Sequence, residues 1–202
     1  MKKWYFLFIF LINSALIFAQ KQSDQVVVVD SIKVKWGKIK IVNGVSMLSS
    51  NDIIENLTSS AKYSILLKAI ENADLIETFK SKGPITFFAP DNEAFKKLGN
   101  NKLDSLMLPA NKYNLSYLLT YHALPGRVTI KDISRKINSN KGETTYTTIA
   151  GSKLTARIDS NRNIVLIDEN GGKSIINHFD IPQSNGILHT INTVLEPKVK
   201  DI

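Results

Sequence analysis

Three histidines are the only side chains in this sequence suited to general-base work near neutral pH or to nitrogen ligation of zinc: His122, His178 and His189. The chain has no cysteine, which excludes thiol catalysis and thiolate metal sites. It also lacks a G-x-S-x-G nucleophile turn, an H-E-x-x-H zinc helix and a G-x-x-x-x-G-K phosphate loop. Asp159, Asn161 and Asn163 begin like a calcium loop. Ile164, however, stands where the glycine turn is required and Asn170 where the bidentate glutamate belongs, so the stretch reads as a polar hairpin tip. His189 shares parity with Ile187 and Ile191 and is expected on the core face of a strand, hydrogen-bonded rather than ligating. His178 reads as a strand-end or surface residue. His122 follows Tyr121 at a predicted helix end and precedes the Pro125-Gly126 turn, the one histidine whose setting suits function. No metal and no cofactor is expected.

The elements that must hold these residues follow from periodicity and punctuation. Ser50-Asn51 reads as a cap for a helix carrying Ile53, Ile54 and Leu57, with Asp52 and Glu55 in its first turn. Residues 60–79 place Leu66, Ala69, Ile70, Ala73 and Ile76 at helical spacing, as one helix or a broken pair. An apolar strand follows at 85–89, stopped by Pro90, and Asp91 caps a short helix ended by Gly99. A helix is predicted over 111–121, with Leu115, Leu118 and Leu119 inward. From Arg127 onward the pattern reads as β, with short strands at 144–149, 153–159, 163–168 and 173–176 and a long one at 187–195. Helices early and a meander late give an α+β class.

Three blocks carry a family resemblance. ITFFAPDNEAF at 85–95 resembles the first signature block of fasciclin domains. LLTYHALPG at 118–126 resembles their central tyrosine-histidine motif, and IPQSNGILHTINTVLEP at 181–197 is similar to their closing block. Order and spacing agree, and the similarity runs from about Asp52 to Pro197. Asp91 stands where threonine is usual, Asn192 where aspartate is common, and Ala123 where a bulkier valine is typical. The resemblance implies a wedge of two β-sheets with several helices packed along one side, the first and last blocks supplying neighbouring central strands. It also implies an extracellular adhesion or matrix module rather than an enzyme. Two roles are open for Tyr121-His122: bracing the helix-to-strand corner, or direct ligand contact in a binding patch made of Leu118, Leu119, Tyr121, His122 and Leu124. The patch is expected because so many bulky apolar residues beside a turn cannot all fit one buried face. Asp91 and His189 are expected to be structural.

The opening of the chain bears on where such a module works. Lys2-Lys3, the apolar run 4–12 and the small-residue exit at Ala15–Ala19 form a secretory signal, with cleavage expected after Ala19. A spanning helix would need about 20 mainly apolar residues, and this run is shorter and holds Asn13 and Ser14. Residues 20–50 read as an N-terminal arm with strand-forming stretches at Val26–Val29, Ile32–Trp36 and 39–42, and residues 51–198 as the domain. After cleavage about 180 residues remain, enough for one core without disulfides. The net charge of +8 falls by two with the signal, and the lysines are scattered without a stacking stripe, which argues against nucleic acid. Richness in Lys, Asn and Ile suggests a bacterial source. The expected function is an exported, non-catalytic adhesion or ligand-binding module, secreted, periplasmic or at the cell surface, whose partner is an envelope or extracellular protein or polysaccharide. The alternatives are an envelope hydrolase using His122 and a small-molecule carrier.

Overall fold

Among the described residues, two strands are buried at every position. Ile85–Pro90 (β3) and Gly186–Ile191 (β9) are buried along their whole length and pair in parallel, Ile85 against Gly186 through Pro90 against Ile191. A strand buried on both faces must be covered on both, and in this computed structural model it is. The structure describes residues 37–198 except Asn43 and Lys82. The expected signal and the arm segments Val26–Val29 and Ile32–Trp36 lie outside the described residues.

The described chain is α+β, and β3 and β9 sit inside a seven-stranded sheet. Ala123–Pro125 (β4) flanks β3 on one side. On the other side β9 pairs with Lys173–Gln183 (β8), followed by Ile164–Ile167 (β7), Lys153–Ile158 (β6) and Glu143–Thr147 (β5), all antiparallel. β8 joins the two halves of the wedge. Its first residues pair with β7 and the rest with β9, with register shifts on either side of His178. This strand runs past Ile176, the end expected from the sequence, to Gln183. It continues because two irregularities re-aim it, the second containing Asp180 at φ +53. A two-stranded hairpin, Ile39–Val42 (β1) with Val45–Leu48 (β2), precedes the first helix and packs Val42 and Met47 into the core.

Helices fill the first half. Ile53–Thr58 (α1) is capped by Asp52, not by Ser50-Asn51: Asp52 Oδ1 accepts from Glu55 N at 2.8 Å and Glu55 returns a bond to Asp52 N at 2.8 Å. The 60–79 stretch is broken into Ser64–Asn72 (α2) and Ile76–Lys80 (α3), with Asp74 at φ +55 turning the chain between them. Asn92–Lys96 (α4) has Asp91 as its N-cap, accepting from Ala94 N at 2.8 Å. Asn100–Leu106 (α5) and Lys112–Tyr121 (α6) follow. The all-β reading after Arg127 is corrected by Ile130–Ser139 (α7), a two-face helix with Ile133 and Ile137 buried and a capping box between Thr129 and Asp132.

The hydrophobic interior has two parts, one on each side of the central strands. Phe87, Ala89 and Leu188 face one cluster, with α1, α2, α4 and α6. Phe88 and Ile191 face the other, with α7 and strands β6 to β8. No helix among the described residues is long and apolar enough to cross a membrane.

Candidate functional site

The segment 118–124 passes from one interior to the other. Leu118, Leu119 and Ala123 pack into the helical cluster, whereas Tyr121 and Leu124 pack into the cluster under α7. Helical spacing sets Leu119 and Tyr121, two residues apart, on opposite faces of α6, and past the helix-to-strand change at His122 Leu124 joins the side of Tyr121. All five expected patch residues are therefore buried: Leu118 at 5%, Leu119, His122 and Leu124 at 1%, Tyr121 at 0% exposure. The expectation that apolar side chains would be left over at the surface is corrected for that reason. They could not fit one buried face, and the fold supplies two. Gly126 completes the exit from the corner at φ +85, a backbone region glycine enters without a Cβ clash, and its N–H donates to Pro84 O at 2.7 Å.

Hydrogen bonds fix the corner. The Tyr121 hydroxyl donates to Lys153 O on β6 at 2.7 Å. Leu195 N–H donates to His122 Nε2 at 3.0 Å, so the imidazole proton sits on Nδ1, which donates to Leu118 O at 2.8 Å. His122 O in turn accepts from Phe88 N at 2.9 Å, tying the corner to β3. Burial pushes the His122 pKa down to about 4, against the smaller opposing pull of the Leu118 carbonyl and of Asp168. Burial likewise drives the Tyr121 hydroxyl well above the usual tyrosine range, with the carboxylates of Asp168 and Glu169 adding to the effect.

His189 lies on β9 with 0% exposure, its ring stacked 5.5 Å from that of Phe88. Asp180 N–H donates to its Nδ1 at 3.3 Å and its Nε2 faces Val128 O at 2.9 Å. Burial lowers its pKa as well. Both deep histidines are thus neutral rings whose two nitrogens are occupied by main chain. Such rings brace a fold; a general base needs an open nitrogen facing a substrate. His178 is half-buried at the irregular part of β8, and among the described residues no three acidic or histidine side chains gather as a metal set.

Two further side chains do positioning work that the sequence reading did not assign. The buried Asn185 amide accepts from Ile53 N at 3.2 Å and donates to Phe79 O at 2.7 Å, so the β8–β9 turn holds the start of α1 and the end of α3. Asn192, where aspartate was expected, uses its amide oxygen as a carboxylate would, accepting from Ile175 N at 2.8 Å.

What opens to solvent beside the corner is a groove of about 380 Å³. Leu118 reaches it from below, with Leu106 of α5 and Pro197 beside it. Tyr113 and Tyr117, one helical turn apart on α6, form its aromatic wall. Asn114, Asn170 and the Lys102–Glu196 ion pair supply the polar lining. The Tyr117 hydroxyl is hydrogen-bonded to Ser152 Oγ, and Tyr113 is 63% exposed. The spacing of the two tyrosines was the available signal. The other walls come from distant parts of the chain and left none.

Comparison with known proteins follows the same outline. The family profile described as Fasciclin domain matches residues 61–197. Protein sll1483 of Synechocystis is 32% identical over 160 residues, spanning 79% of this chain and 81% of that one. Human periostin is 27% identical over 161 residues, which are 80% of this chain but only 18% of periostin. Among solved structures, a FAS1 domain pair from the insect cell adhesion molecule Fasciclin I superposes with a TM-score of 0.62 at 19% identity, over 74% of this chain and 51% of that chain.

Proposed function

The chain belongs to the fasciclin domain family, and from that premise we propose that it is an exported, non-catalytic adhesion module of the cell envelope or extracellular matrix, holding protein or polysaccharide. The observation that carries the non-catalytic reading is the state of the two deep histidines. His122 and His189 have both ring nitrogens engaged by main chain, and neither lines the groove. A scaffold with an amphipathic surface groove, and with both deep histidines closed off by main chain among the described residues, suits holding better than turnover. The solved neighbour's description as a cell adhesion molecule points the same way. Leu118, Leu119, Tyr121, His122 and Leu124 serve this function from inside, by fixing the end of α6 against both interiors, with Leu118 also meeting the groove.

The test is attachment of beads coated with the full chain to cells of its source, run beside turnover assays on ester, amide and glycoside substrates. Attachment by folded protein without turnover is the expected result. Turnover that disappears in a folded His122→Gln variant would replace this reading with the hydrolase.

A further inference from the structure

We propose that the groove between α5, α6 and the closing segment binds an uncharged pyranose unit of a polysaccharide. This deepens the adhesion reading and rests on it. Three features of the lining select the ligand class. The first is the aromatic wall. Tyr113 and Tyr117 stand at i and i+4 on α6, with Leu106, Leu118 and Pro197 adjoining, so the groove offers flat apolar surface to the C–H face of a sugar ring. The hydrogen bond from Tyr117 to Ser152 sets that ring before any ligand arrives, which reduces the ordering cost of binding.

The second feature is the pair of amides. Asn170 donates through its nitrogen to Glu196 O at 3.1 Å and Pro197 O at 3.3 Å, which holds the side chain in place and leaves its carbonyl oxygen to accept from a ligand hydroxyl. Asn114 is exposed on α6 between the two tyrosines in sequence and offers both a donor and an acceptor. The third is charge. The groove's cation and anion, Lys102 and Glu196, are paired with each other. The lining therefore presents no net charge to a uronate, a phosphate or a basic peptide. An apolar carried molecule would want a closed apolar cavity, and this groove is open and polar along one side, with Tyr113 63% exposed.

The experiment titrates the full chain with cellotetraose and chitotetraose, reading amide chemical shifts and saturation transfer, with a polygalacturonate oligomer and an acidic peptide as comparators. Shifts centred on 102–118, 170 and 196–197 with a neutral oligosaccharide are expected. Tyr113→Ala should weaken binding about tenfold without moving the melting temperature, because the ring contributes contact area and little core packing, and Tyr113→Phe should bind nearly as the parent does. Absence of binding by both neutral sugars at millimolar concentration would overturn the proposal. So would shifts that map elsewhere, unchanged affinity in Tyr113→Ala, or preference for the uronate or the peptide. Attachment that survives Tyr113→Ala while sugar binding is lost would sink the groove's role and leave the adhesion reading standing. Sugar binding without any attachment would sink the adhesion reading instead.

Discussion

Acid should loosen this domain before its carboxylates titrate, and His122 sets the size of the effect. In the folded protein Nε2 accepts from Leu195 N–H and the ring is buried, which puts its pKa near 4. In the unfolded chain the same imidazole titrates near its ordinary 6.5. Above pH 6.5 both states hold the neutral ring and the full stability is present. Below it the unfolded chain binds the extra proton and the folded one does not, so stability falls as the pH falls. The slope is about 1.4 kcal/mol per pH unit, and the loss from this residue reaches about 3 kcal/mol by pH 4. His189, lowered for the same reason, adds a loss of the same sign. Asp132 and Asp159 are held below the ordinary carboxylate pKa of 3.8 chiefly by hydrogen bonds, from Thr129 and Asn163, so their contribution is lost only at lower pH. Urea unfolding from pH 7.5 to 4.5 reads the slope, and imidazole shifts by NMR assign it. A flat stability profile across that range, or a native His122 titrating near 6.5, would refute the burial argument.

Substitutions at three positions test the rest of the frame by denaturant unfolding. Gly186→Ala puts a Cβ 2.1 Å from Ile85 O at the start of the central parallel pair and should cost about 3 kcal/mol, whereas a change under 1 kcal/mol would mean the strands can part there easily. Tyr121→Phe removes only the bond to Lys153 O and should cost about 1 kcal/mol, against about 4 kcal/mol for Tyr121→Ala; equal costs would contradict a ring seated in the second interior. Thr129→Ala removes the N-cap of α7 and should cost about 1 kcal/mol, which an unchanged midpoint would exclude.

How much of this was legible in the sequence depended on how local each cause was. Asp91 could be read because a cap needs only its own helix: the stop at Pro90, the acid and the following helix form one continuous signal. The break between α2 and α3 was left open, since Asp74 at positive φ has no apolar-pattern signature. α7 was legible and was missed. Thr129, Asp132, Ile130, Ile133 and Ile137 carry cap and period together, and the strand-rich stretch after them masked the pattern. The length of β8 was not legible, because Pro182 and two irregularities hide a strand whose register is set by β9. The groove needed α5, α6, the turn at Asn170 and the closing segment in place at once, which no window along the chain contains.

The corner at 118–124 also shows why its burial and a binding role on α6 are compatible. An apolar count along one helix face cannot tell a surface surplus from side chains shared between two interiors, and here the sharing is physical. Leu118 and Leu119 enter one cluster, Tyr121 and Leu124 the other, and His122 bonds the junction to both Leu118 and Leu195. The last turn of α6 is thereby held on two sides, which holds Tyr117 and Tyr113 in line one and two turns back along the helix. A change at Tyr121 or His122 loosens the platform and must reach the groove, while a change at exposed Tyr113 removes contact area and leaves the interiors as they were. On the proposed sugar-binding reading, the buried end of α6 is the brace and exposed Tyr113 the grip.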